Sequence, residues 1–278
     1  MGNLLMLASY PKSGNTWTRI FLVNLFTNSM EPVPLAEIGK LSTGDTAAEW
    51  YRAVDSSDES TWSYAHVAQL RHAAQRHVAG LGPDTIFMKT HAALLPWEGV
   101  PPFAQDVLSG AIYIVRNPLD VAQSYARHNG TTIDQTIEVM ARKDYVTTRF
   151  RDLLPYLQGG WSQNVRSWTQ QPHPRIHVMR YEDMVADPVA AFGGLTQYLG
   201  LDVPAERLER AIAHSDIENL REQESEEGFI ERTGDDRRFF GGGGVGAWRR
   251  DLTREQAQRI IDRHGQQMAR FGYLPEDL

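Results

Sequence analysis

Four short apolar runs punctuate the chain: Leu4 to Ala8, Thr85 to Met88, Ala111 to Val115 and Ile176 to Met179. Each gives way to polar or glycine-containing residues and then to a helical pattern, and short apolar runs bounded in this way read as buried strands. Strands that alternate with helices line up parallel, with helices covering both faces of the sheet. The expected fold class is therefore α/β, a three-layer sandwich around a central parallel sheet. The helix starts carry their own signals. Asn117 stands where a side chain can cap, Pro118 fits the first helical position, and Asp120 complements the helix dipole. Asp187-Pro188 repeats that grammar, and Thr253 with Gln256 reads as a capping box for a C-terminal helix running to about Arg270.

With 278 residues, 41% hydrophobic and 23% charged, the chain can bury a sizeable core as one domain over 1–278. Two stretches depart from the strand–helix grammar. Residues 31–82 mix polar and aromatic side chains with weak helical patterning and read as an insertion that covers a substrate. Residues 221–246 join a charged stretch to Phe239-Phe240 and four successive glycines, which hold no fixed shape cheaply, so a mobile lid is expected there. The acidic cluster Glu222, Glu224, Glu226 and Glu227 is expected on a solvated face of that lid. A net charge of −7 without a long basic run argues against a nucleic-acid partner. The absence of cysteine removes disulfides, thiolate nucleophiles and cysteine-based zinc sites, and suits a cytoplasmic chain. No apolar run approaches the length of a membrane span.

Three stretches have the residue types for anionic chemistry. Ser9 to Trp17, "SYPKSGNTW", lies between the first strand and a helix, so backbone N–H groups and the helix dipole can hold an anion, with Ser13, Asn15 and Thr16 adding donors. A Walker A loop would place Lys after the last glycine, whereas Lys12 precedes Ser13 and Gly14. On these residues alone an anion cradle and a capped turn are both open. In "IYIVRNPLDVAQSYARH", Arg116 ends a strand and can fork onto a phosphate, with Ser124 two helical turns on; a salt-bridging Arg and a surface Ser are the plainer alternative. In "MKTH", Lys89 and His91 share one side of an extended chain, a cation beside a base that titrates near neutral pH. All three stretches fall at carboxyl ends of strands, where ligands of open α/β sheets bind.

In combination these stretches resemble the cytosolic sulfotransferase family. "SYPKSGNTW" matches its loop for the 5′-phosphosulfate, "IYIVRNPLDVAQSYARH" its 3′-phosphate element and "KTH" its catalytic pair, while "RYEDM" at 180–184 and "GVGAW" ending at Trp248 follow in the right order. The resemblance implies a P-loop-like sulfotransferase fold and 3′-phosphoadenosine 5′-phosphosulfate (PAPS) as donor, with adenosine 3′,5′-bisphosphate (PAP) as product and no metal. The acceptor it implies is a small hydroxylated molecule, with a natural product as the first choice. It makes His91 the base, sets Lys12 on the leaving phosphate and Lys89 on the sulfuryl oxygens, and adds Ser124 to this catalytic set. Ser13, Gly14, Asn15 and Thr16 would wrap the 5′-phosphate, Arg116 and Ser124 the 3′-phosphate, and Trp17 and Tyr181 would flank adenine with Ser215 nearby. His128 and Tyr145 are candidates for the acceptor pocket.

The departures are local. Where the family has Arg-Lys-Gly or Arg-Arg-Gly before its Trp, this chain has Gly241-Gly242-Gly243, so the basic clamp on the 3′-phosphate must come from elsewhere, with Arg237, Arg238, Arg249 and Arg250 as candidates. A dimer-forming pattern of some animal members survives only in part, as Arg249, Thr253, Arg254 and Gln258, and leaves the oligomeric state open. Two rival functions stand beside the first. A P-loop kinase or NTPase would need a Walker A order and a strand ending in a Mg²⁺-binding Asp, where "IYIVRNP" ends in Arg. A non-catalytic nucleotide-binding module would fit the lost clamp, but not the presence of Lys12, Lys89 and His91.

Overall fold

The computed structural model describes residues 3–232, 238–241 and 244–278. It has five strands, β1 (Leu4–Ser9), β2 (Ser42–Gly44), β3 (Ile86–Thr90), β4 (Leu108–Val115) and β5 (Ile176–Arg180), in one sheet of order β2-β3-β1-β4-β5. The twelve α-helices of the described residues are α1 (Asn15–Thr27), α2 (Ala48–Arg52), α3 (Tyr64–Ala79), α4 (Pro118–Asn129), α5 (Ile133–Ala141), α6 (Trp161–Thr169), α7 (Tyr181–Ala186), α8 (Pro188–Tyr198), α9 (Ala205–His214), α10 (Ile217–Glu227), α11 (Trp248–Asp251) and α12 (Arg254–Arg270). The α/β class with a parallel sheet is borne out. β1 pairs in parallel with β3, Leu4 opposite Ile86 and Ala8 opposite Thr90. Every residue of β1 is buried, which accounts for its unbroken apolar run.

The chain divides into two compact units: the chain up to Tyr10, Ser42–Tyr113 and Arg142–Val178 form one, and Pro11–Leu41, Ile114–Ala141 and Met179–Leu278 the other. In the first unit, Ala48, Tyr51, Val67, Ala68 and Trp97 build a core cluster with Leu154 and Leu157. In the second, Ile20, Leu35, Ile38, Leu220, Phe229 and Phe240 form another.

The helix-start signals act as expected. Asn117 accepts from the Leu119 N–H at 3.0 Å, Asp187 from the Ala190 N–H at 2.9 Å, and Thr253 and Gln256 form the reciprocal capping box. Asp120 does more than face a dipole. Wholly buried, its carboxylate accepts from the Gly246 N–H at 2.9 Å and the Trp248 N–H at 3.0 Å and so anchors the exit of the glycine run. The stretch 31–82 is more ordered in pattern than its sequence suggests. It supplies the edge strand β2, with Ser42 opposite Phe87 and Gly44 opposite Lys89, and the 16-residue α3.

His264 lies on the buried face of α12, 3% exposed, and burial, helped by Arg263, pulls its pKa from 6.5 down to about 4. A depressed histidine stays neutral in the fold while the unfolded chain takes up a proton, so its contribution to stability is present above the unfolded pKa and is lost as pH falls toward 4. From pH 7.5 to pH 5 this site alone is expected to cost ~2 kcal/mol of unfolding free energy. Urea midpoints of the wild type and His264→Gln over that range check it, since the variant should lose that part of the acid slope.

Candidate active site

The loop after β1 is shaped by two residues with positive φ. Lys12 sits at φ 64° and Gly14 at φ 108°, and α1 begins at Asn15 with no side chain capping its first turn. The first N–H groups of a helix have no intrahelical acceptor, and together with the dipole they favour an anion there. Gly14 is also fixed by contact, because a Cβ at that position would stand 2.8 Å from Cδ2 of Tyr181. Ser13 is fully buried, and its Oγ has no hydrogen-bond partner. Arg116, 5% exposed at the end of β4, donates from Nη1 to the Lys12 carbonyl at 3.0 Å and lays its guanidinium 4.1 Å from the Tyr181 ring centroid. The second unit thus brings Lys12, Ser13, Gly14, Trp17, Arg116 and Tyr181 together. Trp17 and Tyr181 meet edge to face, with centroids 5.8 Å apart at 70°. Ser124, buried in α4, shares an open recess with Lys12 and His128. Ser215 is fully buried past the end of α9, its hydroxyl bonded to the carbonyls of Ala211 and Ile212.

In the first unit, Lys89 and Thr90 close β3 and His91 follows. The His91 ring lies with Nδ1 2.8 Å from the Ser9 carbonyl and 3.3 Å from Ser9 Oγ. A carbonyl only accepts, so the proton belongs on Nδ1 and the basic lone pair on Nε2. The backbone behind the ring is pinned from α6. Asn164 donates to the His91 carbonyl at 3.0 Å and accepts from the Tyr113 hydroxyl at 2.8 Å, and Trp168 Nε1 donates to the Ala92 carbonyl at 3.0 Å. The other side is held by Asp45 just past β2. Its N–H donates to the Lys89 carbonyl at 3.0 Å, and its Oδ2 accepts from Thr90 Oγ1 at 2.8 Å. Burial raises the Asp45 pKa, countered by the charge of buried Arg71 and the Thr90 bond. Tyr145 takes part through its backbone, its carbonyl accepting from the N–H groups of Gln158 and Gly159 at 2.9 Å each.

Arg232, Phe239 and Phe240 are organised around Glu224. The cluster containing it was expected on a solvated face, but Glu224 is 1% exposed; Arg232 Nε donates to its carboxylate at 2.7 Å, and so do the N–H groups of Phe239 at 2.5 Å and Phe240 at 2.9 Å. The correction has a simple cause, since a buried carboxylate that satisfies a guanidinium and two amides is cheaper inside than those donors would be alone. This arrangement sets the Phe239 ring 3.7 Å from Lys12 Nζ, and Glu231 accepts from Thr16 Oγ1 at 3.0 Å and Arg19 Nη1 at 2.5 Å. Of the expected lid 221–246, residues 233–237 and 242–243, with Arg237 and two of the four glycines, lie outside the described residues.

The profile of the sulfotransferase domain family matches residues 3–272. The chain belongs to the sulfotransferase family. Sulfotransferase 2A6 of Rattus norvegicus is 24% identical over 98% of this chain and 88% of its own, and Sulfotransferase 1A1 of the same organism 26% over 78% and 67%. Among solved structures, retinol dehydratase in a complex with retinol and PAP superposes with a TM-score of 0.66 at 18% identity, covering 96% of this chain and 82% of that one. A mouse sulfotransferase complexed with PAP gives 0.62 at 19% identity, covering 96% and 85%. At that identity the likeness concerns the fold, which is that of sulfotransferases.

Several residues that shape this sulfotransferase's site carry no local signal. Asp45 and Asn164 act on the His91 stretch from 45 and 73 residues away in sequence. Glu224 sits in a charged run that reads as solvent-facing. Arg127 is different: it lies one helical step from Ser124, and that spacing alone places both on one face of α4.

Proposed function

We propose that this sulfotransferase moves the sulfuryl group of PAPS to a hydroxyl of a small-molecule acceptor, as a cytoplasmic enzyme without a metal. The observation that carries the donor assignment is the cradle at the start of α1, where Ser13 Oγ is buried without a partner and Gly14 leaves no room for a Cβ. Such a cradle fits the 5′-phosphosulfate, with Lys12, Ser13, Gly14, Asn15 and Thr16 around it. Trp17 and Tyr181 border the adenine with Ser215 behind, and Arg116 and Ser124 serve the 3′-phosphate side. PAPS when bound supplies an activated sulfuryl group that passes in line to the acceptor oxygen.

The chain's own residues do the rest. Lys12 steadies the charge that grows on the bridging oxygen, and Lys89 holds the equatorial sulfuryl oxygens, since fixed cations aimed at developing charge lower the barrier more than other groups do in such transfers. His91, its tautomer set by the Ser9 carbonyl, takes the acceptor proton on Nε2. Retinol dehydratase, of the same fold, binds retinol and androsterone beside PAP, which supports a small-molecule acceptor.

Calorimetric titration of the intact protein with PAP, ADP and ATP, with and without magnesium, tests the reading. Tight, metal-independent binding of PAP alone is expected. Preference for ATP with magnesium would replace the donor, and binding of none of the three would mark a fold that has lost its nucleotide.

A further inference from the structure

We infer that Arg127 and Arg238 form the clamp on the 3′-phosphate of the nucleotide, in place of the basic pair missing from the glycine run; this rests on the PAPS reading above. The starting point is the recess in the second unit, lined by Lys12, Ser124, Arg127, His128, Arg232 and Arg238 beside Phe239, with no carboxylate among the described residues of its wall. Ser124, Arg127 and His128 follow an i, i+3, i+4 spacing, so one face of α4 presents a hydroxyl, a guanidinium and an imidazole to the same space.

The candidates for the missing clamp can be sorted by what already holds them. Arg249 pairs with Asp277 at 2.9 Å and packs on the Trp248 ring, and Arg250 pairs with Asp251 at 2.7 Å. Both side chains are largely exposed, and neither lines the recess. Arg237 lies outside the described residues. Among the described residues Arg238 is the remaining candidate, and it does line the recess, three residues before the first glycine of the run. Arg232 also lines it, but its charge is committed to Glu224, which makes it a strut of the segment. Arg116 does not line the recess; its guanidinium is bonded to the Lys12 carbonyl and stacked on Tyr181.

Arg127 adds an independent indication. It is an exposed residue at the rim of the recess, and its pKa is lowered first by desolvation of the guanidinium and then by the like charges of Arg116 and Arg250, against which Asp251 acts in the opposite direction. Positive charge crowded around one recess is stabilised when a dianion enters it. A phosphate beside Ser124 answers that excess, whereas a neutral ribose hydroxyl would not.

The test compares PAP with adenosine 5′-monophosphate, which differs by the 3′-phosphate alone, by calorimetry on the full chain. Wild type is expected to prefer PAP by ~100-fold, and Arg127→Gln and Arg238→Gln are each expected to cut PAP affinity by ~10-fold while adenosine 5′-monophosphate affinity stays within about twofold. The salt dependence of PAP binding should flatten in both, Arg127→Lys should recover part of the loss, and Arg249→Gln should change nothing. The retained monophosphate affinity reports that each variant is folded. A wild type that binds both nucleotides alike overturns the donor reading and the clamp with it. A wild type that prefers PAP, with both glutamine variants keeping that preference, overturns the clamp alone.

Discussion

Replacing His91 with alanine is expected to lower turnover by ~10²–10⁴-fold while PAP affinity stays within about threefold of wild type. The separation follows from where the ring is held. Nδ1 lies 2.8 Å from the Ser9 carbonyl, which commits the proton to that nitrogen and directs the basic lone pair to Nε2. Removing the imidazole removes the proton acceptor, whereas the cradle at Lys12 to Thr16 is built by other residues. Single-turnover rates with saturating donor measure the chemical loss, and PAP calorimetry measures the binding that should survive. The pH profile adds a second readout, because the fall in wild-type rate as Nε2 takes a proton should vanish in the variant. Asp45→Asn gives the contrasting case. Asp45 touches the Lys89 carbonyl and the Thr90 hydroxyl rather than the imidazole, so its loss should act through the placement of the strand end. A His91→Ala variant with wild-type turnover would remove this residue from the chemistry.

The contrast between His91 and its supports shows what a linear reading can reach. β1, β3 and β4 were legible because largely buried strands need apolar runs, the edge strand β5 by its short apolar run although Val178 is exposed, and the caps at Asn117, Asp187 and Thr253 because a capping bond spans only two or three residues. β2 was not legible. Its Ser-Thr-Gly sequence has no apolar signal, and the strand exists through backbone pairing with Phe87 to Lys89. The same limit applies to the site. The positive φ of Lys12 and Gly14 belongs to a short loop whose residue types announce it, whereas Asn164 and Asp45 reach the His91 stretch only once the chain has folded. Glu224 is the sharpest case. Its neighbours Glu222, Glu226 and Glu227 are exposed or partly so, and only the tertiary position of Arg232, Phe239 and Phe240 separates it from them.

Lys12→Met is expected to lower turnover by ~10²–10³-fold with less than a ~10-fold loss of PAP affinity. A cation aimed at a bridging oxygen meets little charge while donor and acceptor are intact, and a growing negative charge as the bond to sulfur breaks, so most of its effect falls on the rate. The backbone at φ 64° strains any L residue, hence methionine retains the loop's shape and its cost, whereas Lys12→Gly would relieve about 1 kcal/mol of that strain. The two variants therefore separate charge from conformation: both should lose rate alike, and only the glycine variant should gain stability from the backbone. Against that gain stands the contact of Nζ with the Phe239 ring at 3.7 Å, a cation–π interaction of ~0.5–2 kcal/mol that both variants lose. Lys12→Arg completes the series, since a planar guanidinium keeps the charge but cannot place it as a compact ammonium does, and an intermediate rate is expected. Turnover near wild type in Lys12→Met would reject the leaving-group role, and a loss confined to PAP affinity would make Lys12 a ground-state binding residue instead.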